Sequence, residues 1–156
     1  MAAQQLGGWG FLLGMLLGPG LVAAILWSPF LVSSRIRALF RSLPPARSTT
    51  LSYLVVTGGL SLPYIIGTLA VLVATEGQSG GAMANGLLNM LIPVSGLYVI
   101  GLPLAANRGL PAIGRDWDPN NYGMSTWVLL LLGAVWFSAL FAVPLFLIAA
   151  VLALPM

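Results

Sequence analysis

Residues 125–154 read STWVLLLLGAVWFSALFAVPLFLIAAVLAL, a stretch without a single charged side chain. A helix that crosses the hydrocarbon core of a bilayer needs about 20 consecutive, mainly apolar residues. This stretch exceeds that length, so it predicts a transmembrane helix.

The remainder of the chain has the same character. Of its 156 residues, 59% are hydrophobic and only 6% are charged, whereas a soluble domain carries about 25% charged residues. Three further charge-free stretches, 1–34, 48–75 and 77–107, are each long enough to span a bilayer. We predict an all-α polytopic integral membrane protein, a single membrane domain over 1–156 in which four transmembrane helices form one bundle. The predicted spans are about 9–31, 51–74, 86–106 and 125–154.

Residues 1–8, MAAQQLGG, bear on whether the first apolar stretch is a cleaved signal peptide. A signal peptide carries a positively charged region before a short apolar core. This segment has neither Lys nor Arg, and the apolar stretch continues to about Val32. We therefore expect a retained transmembrane helix.

The basic residues are all Arg, and they lie in two predicted loops, 33–50 and 107–124. Cytoplasmic loops of membrane proteins carry an excess of basic residues, and four spans place these two loops on one side. The sequence therefore predicts a protein of the cell membrane with both loops cytoplasmic and both termini outside. The six residues are Arg35, Arg37, Arg41, Arg47, Arg108 and Arg115.

The first of these loops contains SSRIRALFRSL at 33–43, where apolar and basic residues follow a helical spacing. We expect the arginines mainly to set the topology. The alternative is a short amphipathic helix whose apolar residues enter the membrane interface while its arginines meet anionic lipid headgroups. Membrane lipids are expected partners in either case. The apolar residues are Ile36, Leu39, Phe40 and Leu43, and the basic ones are Arg35, Arg37 and Arg41, with Arg47 following in the same loop.

Glycine is concentrated in the first span, in GGWGFLLGMLLGPG at 7–20. Small residues four apart let two membrane helices approach closely. We therefore predict a helix-packing face formed by Gly7, Gly10, Gly14 and Gly18. Its partner is either another subunit or a small-residue stripe of the fourth span, which consists of Ala134, Ser138 and Ala142.

A candidate polar site lies in the third span. Pro93 has no N–H for the carbonyl of Asn89, four residues earlier. Asn85 lies one turn before Asn89, and Gly96 lies further along the same face. The alternative is that Asn85 caps the third span while Asn89 bonds across to another helix.

Proline spacing leaves open an internal duplication. Pro19 and Pro29 are separated as Pro93 and Pro103 are, with Arg35 and Arg108 shortly after each pair. The four spans then form two related helical hairpins. The alternative is that the prolines only kink separate helices.

Local signals place several helix ends. Ser48, Thr49 or Thr50 is expected to cap the second span, and Ser125 the fourth. Asp116, Asp118 and Asn120 alternate as the first ligands of an EF-hand do. Asn121 and Trp127, however, stand where that loop requires Gly and Glu, so we expect a turn and no metal site.

Side chains for catalysis are scarce. His, Cys and Lys are absent, and the three acidic residues lie in loops. No imidazole base, thiolate or Schiff-base lysine exists, and no ionisable residue lies within a span. We expect a protein that is not an enzyme, that holds no metal or cofactor, and that does not bind nucleic acid.

The favoured function is that of a non-catalytic membrane subunit or assembly protein, which packs by small-residue helix faces against other subunits or copies of itself. One alternative is an oligomeric channel or facilitator for a neutral or small solute, which uses Asn85 and Asn89. Another is a housing for an apolar cofactor or pigment, held by side chains such as Trp136 and Phe137.

Overall fold

The computed structural model describes residue 14 and residues 18–45, 48–118 and 122–154. All regular secondary structure in these residues is helical. We number the helices α1 (Gly18–Val32), α2 (Ser34–Ser42), α3 (Thr49–Ala74), α4 (Gly80–Ala112) and α5 (Met124–Leu152). The last turn of α1, Ser28–Val32, is a 3₁₀ helix.

Three of the helices are long and apolar enough to cross a membrane. Helices α3, α4 and α5 have 26, 33 and 29 residues, and each contains an apolar segment long enough to cross a bilayer. They coincide with the second, third and fourth predicted spans, and the third of these, α4, is longer than predicted at both ends. The described part of the first span, α1, is a shorter apolar helix.

Helix α3 begins where the sequence predicts. Ser48 is its N-cap, and its side chain accepts a hydrogen bond from the backbone N–H of Leu51 at 3.0 Å. An N-cap hydroxyl of this kind satisfies one of the amide donors that a helix leaves free at its first turn.

Helix α4 begins earlier than predicted. Ser79 is its N-cap and accepts from the N–H of Ala82, so the expectation that Asn85 caps this helix is wrong. The early start is possible because Gly80 lies against α5, where an added Cβ would be only 2.7 Å from the carbonyl oxygen of Leu152. The glycines before residue 86 are therefore part of the helix and of its packing.

Helix α5 begins at Met124 with Gly123 as N-cap, so the predicted Ser125 cap is wrong. The hydroxyl of Ser125 instead accepts a hydrogen bond from Arg35 at 2.6 Å. Ser125 is therefore the second residue of the helix, and its hydroxyl is bonded to a guanidinium of the first loop.

Helix α4 contains two π-helical turns, Leu97–Gly101 and Ala105–Gly109, and the second carries it past its predicted end at residue 106. In a π-turn a carbonyl pairs with the N–H five residues later, which for Ala106 is Pro111, a residue without an N–H. The indole of Trp117 donates to the Ala106 carbonyl at 2.6 Å instead. The helix can therefore continue through its prolines to Ala112.

Glycines on α3 and α4 admit large side chains of the facing helix. An added Cβ on Gly67 would be 2.7 Å from Cγ of Met90, and one on Gly86 would be 2.8 Å from Cγ1 of Val71. Each helix thus contributes one glycine and one larger residue to the contact. Such close packing is the main attraction between helices in lipid.

Aromatic side chains fill the centre and bind the backbone of neighbouring helices. Trp27 stacks on Phe30 and Tyr53, and its indole donates to the carbonyl of Gly133 at 2.8 Å. The hydroxyl of Tyr98 donates to the carbonyl of Leu60 at 2.5 Å. Aromatic rings therefore supply both the apolar packing and the polar links between helices.

Helix α2 forms as the amphipathic alternative predicts, but its apolar face does not lie where that alternative places it. Ile36, Leu39 and Phe40 are buried in the core of the protein, where Phe40 packs edge-on against Trp27 and Tyr53. The bundle, not the membrane interface, covers this face. A short helix with buried apolar residues closes the end of the bundle that carries the arginines.

We expect Gly86→Ala to destabilise the protein by about 1–3 kcal/mol, because its methyl group would overlap the branched side chain of Val71. Gly59→Ala is the matched control, since no atom lies within 4 Å of an added Cβ at that position. Ala is a better helix former than Gly, so the control should be neutral or slightly more stable. Thermal unfolding in detergent measures both, and equal midpoints would contradict the packing.

Candidate functional site

The predicted polar site lies on the outside of the bundle. Asn85, Asn89 and Gly96 are all exposed on α4, together with Pro93 and with Ile92, which is 73% exposed. We call these five residues the amide face. Neither asparagine is among the residues that line the two cavities described below.

The amide face is rich in groups that form hydrogen bonds. Each asparagine side chain offers two N–H donors and one carbonyl acceptor, and Pro93 provides no N–H for the backbone carbonyl of Asn89. Nothing lies within 4 Å of a Cβ built on Gly96, so a neighbouring backbone has room to approach. The face can therefore bind a polar group of another helix.

The predicted glycine face is only partly described, since Gly7 and Gly10 lie outside the described residues. Gly14 is exposed, and a Cβ on Gly14 or Gly18 would have no neighbour within 4 Å in the described structure. No helix of the described structure therefore packs closely against these two glycines.

The close approach of α1 to the bundle occurs at a different glycine, Gly20. An added Cβ there would be 2.7 Å from Oγ of Ser61 and 3.5 Å from Cα of Gly58. This contact was not predicted, because Gly20 lies outside the four-residue spacing of the predicted stripe. The signal that marks it is the pair of small residues Gly58 and Ser61 on α3.

The small-residue stripe of α5 faces inward. Ala134 and Ser138 are buried and Ala142 is partly buried. The contact with α1 forms one residue away, at Gly133, where an added Cβ would be 3.0 Å from the Trp27 ring. The stripe therefore contributes to the interior of the bundle.

An apolar cavity of about 400 Å³ lies in the half of the bundle that α2 closes. This volume is within the ~300–1,000 Å³ typical of small-molecule pockets. Its one lining hydroxyl, on Thr57, already donates to the carbonyl of Tyr53 at 2.7 Å. We call it the inner cavity, and its lining can hold an apolar group by contact alone. Residues from all five helices form the wall, including Trp27 of α1, Phe40 of α2, Val56 of α3, Ala105 of α4 and Phe137 of α5.

A second apolar cavity, of about 650 Å³, lies between α1, α3 and α5. Pro19, Tyr64 and Phe141 are among its lining residues. Of the two side chains proposed to hold an apolar ligand, only Phe137 lines a cavity, the inner one. Trp136 is 50% exposed, and its indole donates to the carbonyl of Leu26 at 3.2 Å.

The two arginine-containing loops meet at one end of the protein, which we call the basic end. Nη1 of Arg115 donates to the carbonyl of Ser42 at 2.9 Å, which joins the second loop to α2. Arg37 and Arg41 are exposed there, whereas Arg47 lies outside the described residues. In a four-span topology these two loops lie on the same side of the membrane, and their shared end agrees with that arrangement.

Arg35 joins the two loops through an ion pair that the sequence did not predict. Its Nε lies 3.9 Å from Asp118, whose side chain is 0% exposed, and its Nη1 donates to Oγ1 of Thr126 at 3.1 Å. The hydroxyl of Thr126 donates in turn to Asp118. Asp118 is thus a structural residue that ties α2 to the start of α5.

The sequence comparisons identify a family without a known activity. A family profile described as "Domain of unknown function (DUF8162)" matches residues 7–156. No curated protein and no solved structure matches the chain.

We expect Arg35→Gln to destabilise the protein by about 2 kcal/mol, because the buried Asp118 carboxylate would lose its cationic partner. The control is Arg37→Gln, which removes the same charge from an exposed position whose Nη1 donates to the carbonyls of Leu31 and Val32. Thermal unfolding in detergent compares the two variants. A loss of stability no greater for Arg35→Gln than for Arg37→Gln would show that the ion pair is not structural.

Proposed function

The chain belongs to the DUF8162 family, and we propose that it is a four-span integral membrane protein that acts as a non-catalytic subunit or assembly protein of a membrane complex. The observation that carries this proposal is the exposed amide face of α4, with Asn85 and Asn89 on the outside of an apolar helix. The side-chain amides of this face can form hydrogen bonds within the membrane only when a polar group of another helix contacts them.

The helices support a membrane location. Each of α3, α4 and α5 suits a membrane crossing, and α1 together with the apolar residues before it supplies the fourth. The basic end then faces the cytoplasm, and the turn around Glu76 and both termini face the outside, because basic loops are retained on the cytoplasmic side.

The depth of the asparagines explains why they need a partner. At 1.5 Å per residue, Asn85 and Asn89 lie roughly 7 and 13 Å along α4 from its start at Gly80. Asn89 is then within the hydrocarbon region, where no water satisfies an amide. A hydrogen bond between membrane helices contributes about 1 kcal/mol, so two amides and a free carbonyl on one face favour association.

The partner is a membrane helix of another subunit or of a second copy of this chain. No atom of the described residues lies within 4 Å of a Cβ added at Gly96, so such a helix has room to lie close to the backbone there. In a ring of identical copies, the same asparagines would line a path between subunits, which is the channel alternative. That alternative requires a closed homo-oligomer.

A housing for an apolar ligand is a second candidate function. It is favoured by the inner cavity, whose wall is apolar and whose Thr57 hydroxyl is already bonded. This role and the subunit role use different surfaces of the protein, so one does not exclude the other.

We expect the double substitution Asn85→Leu with Asn89→Leu to separate the chain from its partner, because the new side chains cannot form hydrogen bonds across the interface. Native mass spectrometry of the protein, gently extracted from its own membrane at normal expression, measures which companions remain. The matched control carries Asn85→Gln with Asn89→Gln, which keeps both amides and should keep more of the complex.

Loss of a heterologous subunit on Leu substitution would support the accessory role. Dissociation of a closed homo-oligomer would favour the channel alternative. A wild-type protein that is extracted alone, or a Leu variant that keeps all companions, would contradict association through the amide face.

A further inference from the structure

We propose that the inner cavity binds one acyl chain of an anionic phospholipid from the cytoplasmic leaflet, whose headgroup is held by Arg108. The inference rests on the membrane location and orientation proposed above. It uses a different surface from the amide face and assigns a ligand class to the cavity.

The position of the cavity selects a lipid of that leaflet. Its wall includes Phe40 of α2 and Leu110 at the end of α4, and both belong to the basic end. On the proposed orientation this end faces the cytoplasm. The apolar groups that abound at this depth are the acyl chains of that leaflet.

The cavity reaches the outer surface of the bundle at the second π-turn of α4. Two of its lining residues there, Ala105 and Gly109, are exposed. A Cβ on Gly109 would be 3.9 Å from the Cβ of Ala105, so these residues are neighbours on the surface. Because both are small, they leave a portal through which a chain can enter sideways from the membrane.

Charge at the portal selects the headgroup. Arg108 directly precedes Gly109, is exposed, and forms no hydrogen bond or ion pair with the part of the chain that the structure describes. The two loops of the basic end carry all six arginines of the sequence against two of its acids, Asp116 and Asp118. Asp118 is already bound by Arg35. A phosphate at the portal would meet an uncompensated guanidinium, which is the geometry that anionic lipids favour.

The test titrates purified, delipidated protein with phosphatidylglycerol or with phosphatidylcholine of the same acyl chains and counts bound lipid by native mass spectrometry. We expect phosphatidylglycerol to bind more tightly. Val56→Phe, which fills the cavity from its wall, should weaken that binding about tenfold. The matched control is Val55→Phe, at the adjacent and exposed position, which should bind as the wild type does.

If Val56→Phe does not fold, Ala105→Phe blocks the portal from an exposed position, with Leu104→Phe as its control. For the headgroup, Arg108→Gln should weaken phosphatidylglycerol binding about fivefold, and Arg108→Lys should restore most of it. Phosphatidylcholine binding should change little in either variant.

Equal binding by the cavity variants and their controls would overturn the assignment of the cavity, and equal affinity for the two lipids would overturn the assignment of the headgroup. These failures leave the subunit role intact, because the amide face is unaltered. A wild-type protein that is not recovered with membranes would instead refute the membrane location, and with it both proposals.

Discussion

The structure depends on one constraint: the backbone N–H and C=O groups of its long apolar helices must form hydrogen bonds within the protein, because no water reaches them in a membrane. Proline makes the constraint sharper by removing N–H donors within α1 and α4. The chain answers with side chains: the hydroxyl of Ser28 donates at 2.6 Å to the Ile25 carbonyl, which lies four residues before Pro29. The indole of Trp117 likewise donates to the carbonyl of Ala106, which lies five residues before Pro111 in a π-turn. At Pro29 and Pro111 a side-chain donor thus replaces the backbone N–H that proline lacks.

The same solution holds the helices together. Indole and phenol donors from α1, α3, α4 and α5 reach carbonyls of neighbouring helices, as Trp27 does at Gly133 and Tyr98 does at Leu60. Since each donor bond is fixed to a particular backbone site, it sets the register of two helices as well as their contact. Asn85 and Asn89 of α4 lie on its outer face, where they are accessible to a partner, whereas Asn107 of the same helix and Ser138 of α5 are buried without a hydrogen-bond partner among the described residues.

The sequence predicted the features that depend on composition and local signals. Three long apolar helices, the amphipathic helix after α1, the Ser48 cap and the meeting of the two arginine loops all follow from patterns within short segments. The four-span topology and the glycine face at Gly14 and Gly18 stay predictions. What could not be predicted depends on residues far apart in the chain: Gly86 matters because Val71 lies opposite, Asp118 is buried because Arg35 reaches it, and the inner cavity exists only where residues of five helices meet.

The proposed subunit role and the proposed lipid site both require a membrane location, and the lipid site also requires the basic end to face the cytoplasm. The chain has no native cysteine, so single-cysteine variants can report it: Gln78→Cys at the turn between α3 and α4, and Ile113→Cys at the basic end, both exposed positions that leave every charge in place. A membrane-impermeant maleimide applied to intact cells should label the Gln78→Cys variant at once and the Ile113→Cys variant only after the cells are opened. Labelling of the Ile113→Cys variant in intact cells, or of neither variant until opening, would contradict the orientation that the lipid site requires.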